Sequence, residues 1–376
     1  MHCSVEPKEI EAIQESNIAQ QTAFWARVKH HQGMKPFAFK YKAPNDLLYP
    51  DTSRSKLFQD DLLVLLQAID DKHSVAYVPY GPEIEPDAEN HGVFLEELSE
   101  VLRSHLPKNC ILIRFDLPWE NQWSKEEDYY DENGHWMGPP TVRNQEYRLN
   151  FKTNEWNLVK CQSNILPTNT IFLDLNHSSE KLLGKMKPKT RYNVKLSQRK
   201  GVRVQSYGLD KIDIWLELYQ QTASRNGINY GLQDAEYFRS VLATPTDDLP
   251  SQVEVQLLMA DRDGEYLAAM FLMLSAKRGT YLYGASSDNQ RNLMATYAVQ
   301  WEAMRRAQAY GCLEYDMFGA APNGNPGHPM HGLYRFKTGF GGKMFHSMGC
   351  WDYPLDHEQY AIFAAVETNG PKYHVN

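Results

Sequence analysis

The chain is short of cysteine. Its five cysteines, Cys3, Cys110, Cys161, Cys312 and Cys350, lie far apart and form no metal-type pair. An odd count without a secretory leader reads as reduced thiols in a cytosol. The histidines are scattered too, and in the one adjacent pair, His30-His31, the rings point apart, so no metal is expected. No window approaches the ~18 uninterrupted apolar residues of a membrane span. The start, Met1-His-Cys-Ser-Val-Glu-Pro-Lys, lacks a basic stretch followed by an apolar one, so no signal peptide is expected. Walker and Gly-x-Gly-x-x-Gly motifs are absent, which leaves ATP-driven ligation unsupported. No Gly-x-Ser-x-Gly elbow surrounds Ser286-Ser287 and Asp288, so these are not read as a nucleophile site. Positive charge is also scarce. The net charge of −8 argues against sequence-blind binding of duplex nucleic acid, but it leaves room for a local basic platform.

The composition that is present, 42% hydrophobic and 23% charged, is that of a globular protein. A length of 376 residues suits two domains better than one core. Residues 7–32 read as helix. Strands are expected near Phe37–Lys42, Val75–Val78 and Cys110–Asp116, with an amphipathic helix over 88–105. The polar run 119–160, with Gly138-Pro139-Pro140 in its middle, reads as a long loop or insertion. A second α/β alternation starts near Ile171. It contains helices at Ser179–Lys185 and Lys189–Lys200, the latter ended by Gly201. A helix follows at 210–224. The strands Gln252–Met259 and Glu265–Ser275 are joined by the hairpin signal Asp261-Arg-Asp-Gly. The strand Thr280–Gly284, the helix Met294–Tyr310 and the strand Leu313–Phe318 complete it. The fold class is α/β (α+β), with the same rhythm in both halves.

Three segments could carry chemistry. Between Lys181 and Arg203 there are nine Lys/Arg and no Asp or Glu. Within that run Lys189, Arg191, Lys195 and Arg199 sit on one helix, the last three at a spacing of four. The functional reading is contact with phosphates of RNA or of a nucleotide-linked substrate; the bland reading is a solvated helix face. Next comes the turn before helix 294–310. Acyl-CoA-dependent N-acyltransferases place small residues there so that backbone N–H groups can hold pyrophosphate. This chain has Arg291-Asn-Leu-Met-Ala-Thr, whose bulky Leu293 and Met294 speak against CoA. Last is Phe336-Lys337 before Gly339, Gly341 and Gly342. Those glycines would allow a ligand close to the backbone, and the lysine could stabilise an acyl-transfer oxyanion. A surface lysine before a turn is the alternative.

Taken together, these segments resemble the Fem family of non-ribosomal peptidyl transferases. The resemblance runs through Gln21-Thr-Ala-Phe-Trp-Ala-Arg-Val-Lys29, Val78-Pro-Tyr-Gly-Pro82, Met186-Lys-Pro-Lys-Thr-Arg-Tyr-Asn-Val194, Thr222-Ala-Ser-Arg-Asn-Gly227, Tyr281–Ser287 and Gly332–Gly341, in order and at fitting spacing. It implies two N-acetyltransferase (GNAT)-like domains, 1–168 plus 350–376 and 169–349. The first would bind the precursor and the second would serve acyl transfer. No long coiled-coil arm is expected, because nothing between 201 and 260 carries heptads. The resemblance also implies a cytoplasmic, monomeric aminoacyltransferase. It would move an amino acid from aminoacyl-tRNA to the stem-peptide amine of UDP-MurNAc-pentapeptide or a lipid II-type precursor, with transient approach to the inner membrane face. Cofactors would be none: no CoA, no ATP, no metal. By position, Lys29 and Arg225 would hold the precursor diphosphate and Tyr283 would line its site. Lys337 with Phe336 would support transfer. Two other readings stand beside this one, an acyltransferase acting on a different amine and a non-catalytic binding relative.

Overall fold

A computed structural model of the chain describes residues 3–49, 57–227, 231–246, 248–249 and 253–369. The chain divides into two compact units. One comprises 1–14, 20–168 and 346–376; the other comprises 15–19 and 169–345.

The first unit is built on strands β1 (Ser4–Lys8), β2 (Lys35–Pro44), β3 (Leu57–Ala68), β4 (Ser74–Val78), β5 (Cys110–Glu120) and the two-residue β6 (Val159–Lys160). The C-terminal strand Lys343–Pro354 (β13) starts in the second unit and ends in this one. Strand order is β1-β2-β3-β4-β5-β13, with β6 on β13. Only β4 and β5 run parallel. A parallel neighbour needs a crossover, and helix α3 (His91–Arg103) provides it. Phe94, Leu95, Leu98 and Leu102 recur at helical spacing and are fully buried. They join Phe39, Tyr41, Val64, Phe115 and Trp119 in one core. Helix α1 (Ala23–His31) opens with the Thr22 hydroxyl accepting from the Trp25 N–H. A single turn, α2 (Asn45–Leu48), follows β2.

The second unit repeats this plan. Its strands are β7 (Asn169–Asp174), β8 (Arg203–Tyr207), β9 (Val253–Arg262), β10 (Glu265–Ser275), β11 (Arg278–Ser286) and β12 (Glu314–Asp316). Their order is β7-β12-β11-β10-β9-β8. Again four antiparallel strands are followed by one parallel pair, β11 and β12. The crossover here is helix α9 (Ala295–Tyr310). Alternate residues of β10 face opposite ways. Ala268, Met270, Leu272 and Leu274 share a core with α9, while Phe271 meets Trp215 of helix α7 (Ile212–Asn226) at 4.7 Å between ring centroids. The β9–β10 turn carries Asp263 and Gly264 at φ 53° and 85°, the left-handed pair that a two-residue hairpin needs.

Three expectations are corrected. Residues 7–32 are not one helix: Ser4–Lys8 is an edge strand on β2, and only Ala23–His31 is α-helical. The run 119–160 is not loop throughout. It contains 3-10 turns at Gln122–Lys125 and Glu127–Tyr129, helix α4 (Val142–Asn150) and β6. Glu96 accepts from the Asn154 and Glu155 N–H groups, and Asn150 exchanges hydrogen bonds with Leu158, so the segment is tied to its own unit. Finally, Phe336-Lys337, read as a ligand-approach segment before glycines, lies within helix α10 (His331–Thr338). The expected start at Gln252 lies outside the described residues.

Candidate functional site

Lys337 decides how the second unit's centre works. Its side chain is only 4% exposed although it carries an ammonium. The Nζ donates to the carbonyls of Met317, Phe318 and Gly319 at 2.7, 2.5 and 2.6 Å. An ammonium has three N–H donors, so all are committed. The ring of Tyr281 lies 4.9 Å from Nζ. Burial pushes the Lys337 pKa down to about 7, and the nearby Asp316 carboxylate opposes that shift. The three carbonyls oppose it as well, because they only accept. Phe318 stands at φ 53°, a strained angle for a residue with a side chain. Its N–H donates to Asp316 at 2.7 Å and its carbonyl accepts from Lys337. Asp316 also accepts from the Thr170 hydroxyl. The lysine and the aspartate thus clamp loop 317–319 from both sides. A direct hydrogen bond from Lys337 to a reacting oxyanion has no donor left in this arrangement. What the lysine offers is a buried positive charge and a fixed loop.

The glycines after it serve the fold. A Cβ at Gly341 (φ 90°) would lie 2.4 Å from the Lys185 carbonyl oxygen, and one at Gly342 2.6 Å from that of Phe172. They allow close approach of the protein's own backbone, not of a ligand. Phe336 packs edge-on against Tyr297 at 5.1 Å and Phe340 at 5.3 Å.

The other expected residues each have partners of their own. Arg225, in the last turn of α7, donates to the Ser286 hydroxyl at 2.9 Å, to the Ser286 carbonyl and to the Asp288 carboxylate. It already holds an anion, and the depression beside it is lined by Glu217 and Asp288. Tyr283 donates to the Tyr237 hydroxyl at 3.0 Å and packs on Phe238. Burial pushes its phenol up to about 12. Tyr237 and Phe238 belong to helix α8 (Leu232–Ala243). Lys29 belongs to the first unit. It donates to Gln32 at 2.8 Å, and its Nζ lies 5.2 Å from the Trp25 ring. Burial lowers its pKa to about 8.

The cations of the basic helix α6 (Pro188–Arg199) are held differently. Lys189, Lys195 and Arg199 are exposed. Arg191 turns back to donate to the carbonyls of Leu183 and Gly184, at the end of helix α5 (Ser179–Lys185). The Arg199 guanidinium lies 5.7 Å from the Tyr192 ring. The turn before α9 also differs from its expected state. Leu293 is buried in the core at 2% exposure, so it does not obstruct the turn. Sequence reasoning missed Asp316, which stands in no motif, gave Asp288 no binding role, and touched Asn193 only as part of the segment Met186–Val194. Among the described residues no group of three or more His, Cys, Asp or Glu is arranged to hold a metal.

The FemAB family's sequence model matches residues 12–250 and 251–368. The chain belongs to the FemAB family. The lipid II:glycine glycyltransferase of Staphylococcus epidermidis is 23% identical over 274 residues, covering 58% of this chain and 66% of that one. The enzyme of the same name from Staphylococcus haemolyticus is 21% identical over 279 residues, with the same coverage. The match therefore spans just under two thirds of those relatives' length. The crystal structure of FemX superposes with a TM-score of 0.70 at 16% identity, over 96% of this chain and all of that one. This FemAB chain shares that fold. No described helix is long and apolar enough to cross a membrane.

Proposed function

We propose that this FemAB chain transfers an amino acid from aminoacyl-tRNA to the stem-peptide amine of a peptidoglycan precursor, UDP-linked or lipid II-type. The observation that carries the reading is the family match along nearly the whole chain, together with relatives named for glycyl transfer to lipid II. The amine nitrogen attacks the ester carbonyl of the donor. An amide bond forms, the ester C–O bond breaks, and the tRNA hydroxyl leaves with a proton originally held by the amine. The ester is already activated, so the reaction draws on no ATP, CoA or metal. Proximity supplies much of the rate, with the amine deprotonated by solvent or by the substrate itself. The buried charge of Lys337 favours the negative oxygen that develops. Lys29, Arg225 and Tyr283 are the proposed precursor contacts. Mixing the protein with tRNA bearing radiolabelled amino acids and a panel of muropeptides tests this reading. Label on a muropeptide supports it. Muropeptide binding without transfer counts against the donor, and neither binding nor transfer returns the choice to another amine.

Two outcomes follow for binding. The Lys29 ammonium persists only below its lowered pKa of about 8. Affinity for a diphosphate-bearing precursor is therefore expected to be full below that pH and to fall as pH rises through it. Titrations from pH 6.5 to 9.5 read this. A Lys29→Ala protein with an unchanged pH profile would sink the assignment. At Arg225 the diphosphate must compete with Asp288. Asp288→Asn is expected to tighten precursor binding by up to about fivefold, the worth of an exposed ion pair. A weaker or unchanged Kd would mean that Arg225 serves only to brace the end of β11.

A further inference from the structure

The cation and the amide that the proposed chemistry leaves unused face the same hollow. A cavity of about 460 Å³ lies between α6 and the turn that opens α9. That size is within the range of ligand-holding cavities. From α6 it is lined by Lys189 and Asn193, and from the turn by Arg291, Ala295, Thr296 and Tyr297. Asn193 is 4% exposed, lines the cavity and makes no side-chain hydrogen bond among the described residues. Its amide is not among the fully buried unpaired polar atoms, so it stands open to the hollow and can donate to a ligand there. Lys189 and Arg291 have no carboxylate partner among the described residues.

The backbone adds to this. Gln290 and Met294 both stand in the left-handed region, at φ 46° and 57°. Met294 caps α9 without a side-chain hydrogen bond. The Tyr297 and Ala298 N–H groups reach the Met294 carbonyl, but those of Ala295 and Thr296 find no acceptor among the described residues. They are the free donors at the positive end of a 16-residue helix. No Asp or Glu is among the described residues lining the cavity. Asp288, between the lining residues Ser287 and Asn289, is taken up by Arg225, and Glu265 is occupied by the side chains of Gln290 and Asn289. Free N–H groups, a buried amide donor and two cations with no lining carboxylate make a site for a tetrahedral oxyanion.

We propose that this cavity binds a phosphate ester of the acyl donor, most directly a backbone phosphate at the single-stranded acceptor end of tRNA. The assignment of the phosphate to RNA rests on the donor proposed above; the phosphate site itself does not. Tyr297, on the cavity wall, packs its ring against Phe336, the neighbour of Lys337. A phosphate held here anchors the donor strand one aromatic ring away from the clamped loop. The chemistry is equally that of a CoA pyrophosphate, so the test must separate the two sources.

The experiment titrates the full chain with three probes: a single-stranded RNA hexanucleotide ending in CCA, CoA and inorganic pyrophosphate. It is run on the native protein, Asn193→Asp, Lys189→Ala and, as control, Arg305→Ala at the far end of α9. Asn193→Asp keeps the shape and repels an anion. Lys189 is exposed, so its loss leaves the fold intact, and thermal melts check both variants. RNA affinity is expected to fall about tenfold in each of the two site variants, the worth of one hydrogen bond to a charged group. The salt dependence of binding is expected to lose about one unit of slope in Lys189→Ala. Arg305→Ala should keep its affinity. RNA binding weakened by neither site variant overturns the site and leaves the tRNA reading standing. RNA that fails to bind, while CoA or pyrophosphate binds and is weakened by the substitutions, keeps the phosphate site and overturns RNA as its source. Absence of binding by all three overturns the site.

Discussion

Lys337→Ala is expected to slow transfer by about 100-fold or more, to lower the melting temperature by about 10 °C, and to leave precursor affinity within about twofold. The reasoning starts from the three carbonyls of Met317, Phe318 and Gly319, which the ammonium satisfies in a buried place. Left without a donor, each costs about 1 kcal/mol or more, so the sum is about 3 kcal/mol. For a unit of this size that corresponds to a melting shift of about 10 °C. Phe318, at its strained φ, would lose the contact that opposes relaxation. The rate falls for two reasons. A buried positive charge near the developing oxyanion is gone, and a 100-fold loss corresponds to about 2.7 kcal/mol of transition-state stabilisation. The loop that the charge held also moves. Melting curves, kcat and precursor Kd on the same preparation separate these effects. An unchanged melting temperature would show that the clamp carries no weight. Turnover and precursor affinity lost in equal measure would remove the claim that Lys337 serves the transfer step.

This role was only half legible in the sequence. Phe336-Lys337 stood out because a lysine among glycines is unusual. Its partners come from about twenty residues upstream, from a loop with no motif of its own. The flanking glycines then misled, since Gly341 and Gly342 suggest ligand approach when they relieve contacts with Lys185 and Phe172. Local signals with one physical cause were read correctly. Asp263-Gly264 supplies the left-handed angles of the β9–β10 hairpin, and Gly201, at φ 77°, follows the end of α6. Helix α4 escaped notice because it buries only Gln145, Leu149 and Asn150, too few apolar residues to show a period. Ser4–Lys8 escaped because an edge strand with one buried residue has no alternation to display. The phosphate cavity was invisible for a different reason. The buried position of Leu293 and the approach of Asn193 to the α9 turn are tertiary facts. From sequence, Leu293 could only be read as an obstruction.

The repeated plan of the two units also raises the question of what holds β13 and the helix after it to the first. Arg114 of β5 is 4% exposed and makes four hydrogen bonds to two carboxylates. It donates to Asp352 of β13 at 2.7 and 2.8 Å and to Glu367 of helix α11 (His357–Asn369) at 2.6 and 2.8 Å. Asp352 is 1% exposed, so its charge has no recourse to water. Paired this way, the Arg114 guanidinium is held firmly in its charged form. Arg114→Met keeps the apolar stem and strands the aspartate. The expected cost is about 3–5 kcal/mol, that of a buried charge left without its partner. Glu367 is the more exposed of the two carboxylates, so Glu367→Gln should cost about 1 kcal/mol. The double variant Arg114→Met with Asp352→Leu removes both buried charges and is expected to recover most of the loss, because a packed apolar pair does nearly as well as a desolvated ion pair. Denaturant melts of these variants give the comparison, and limited proteolysis near Leu355 reports whether α11 has come away. None of the Lys337 contacts is touched, so transfer per folded molecule should stay at the native rate. A double variant no more stable than Arg114→Met would mean that the aspartate is needed for more than balancing the arginine.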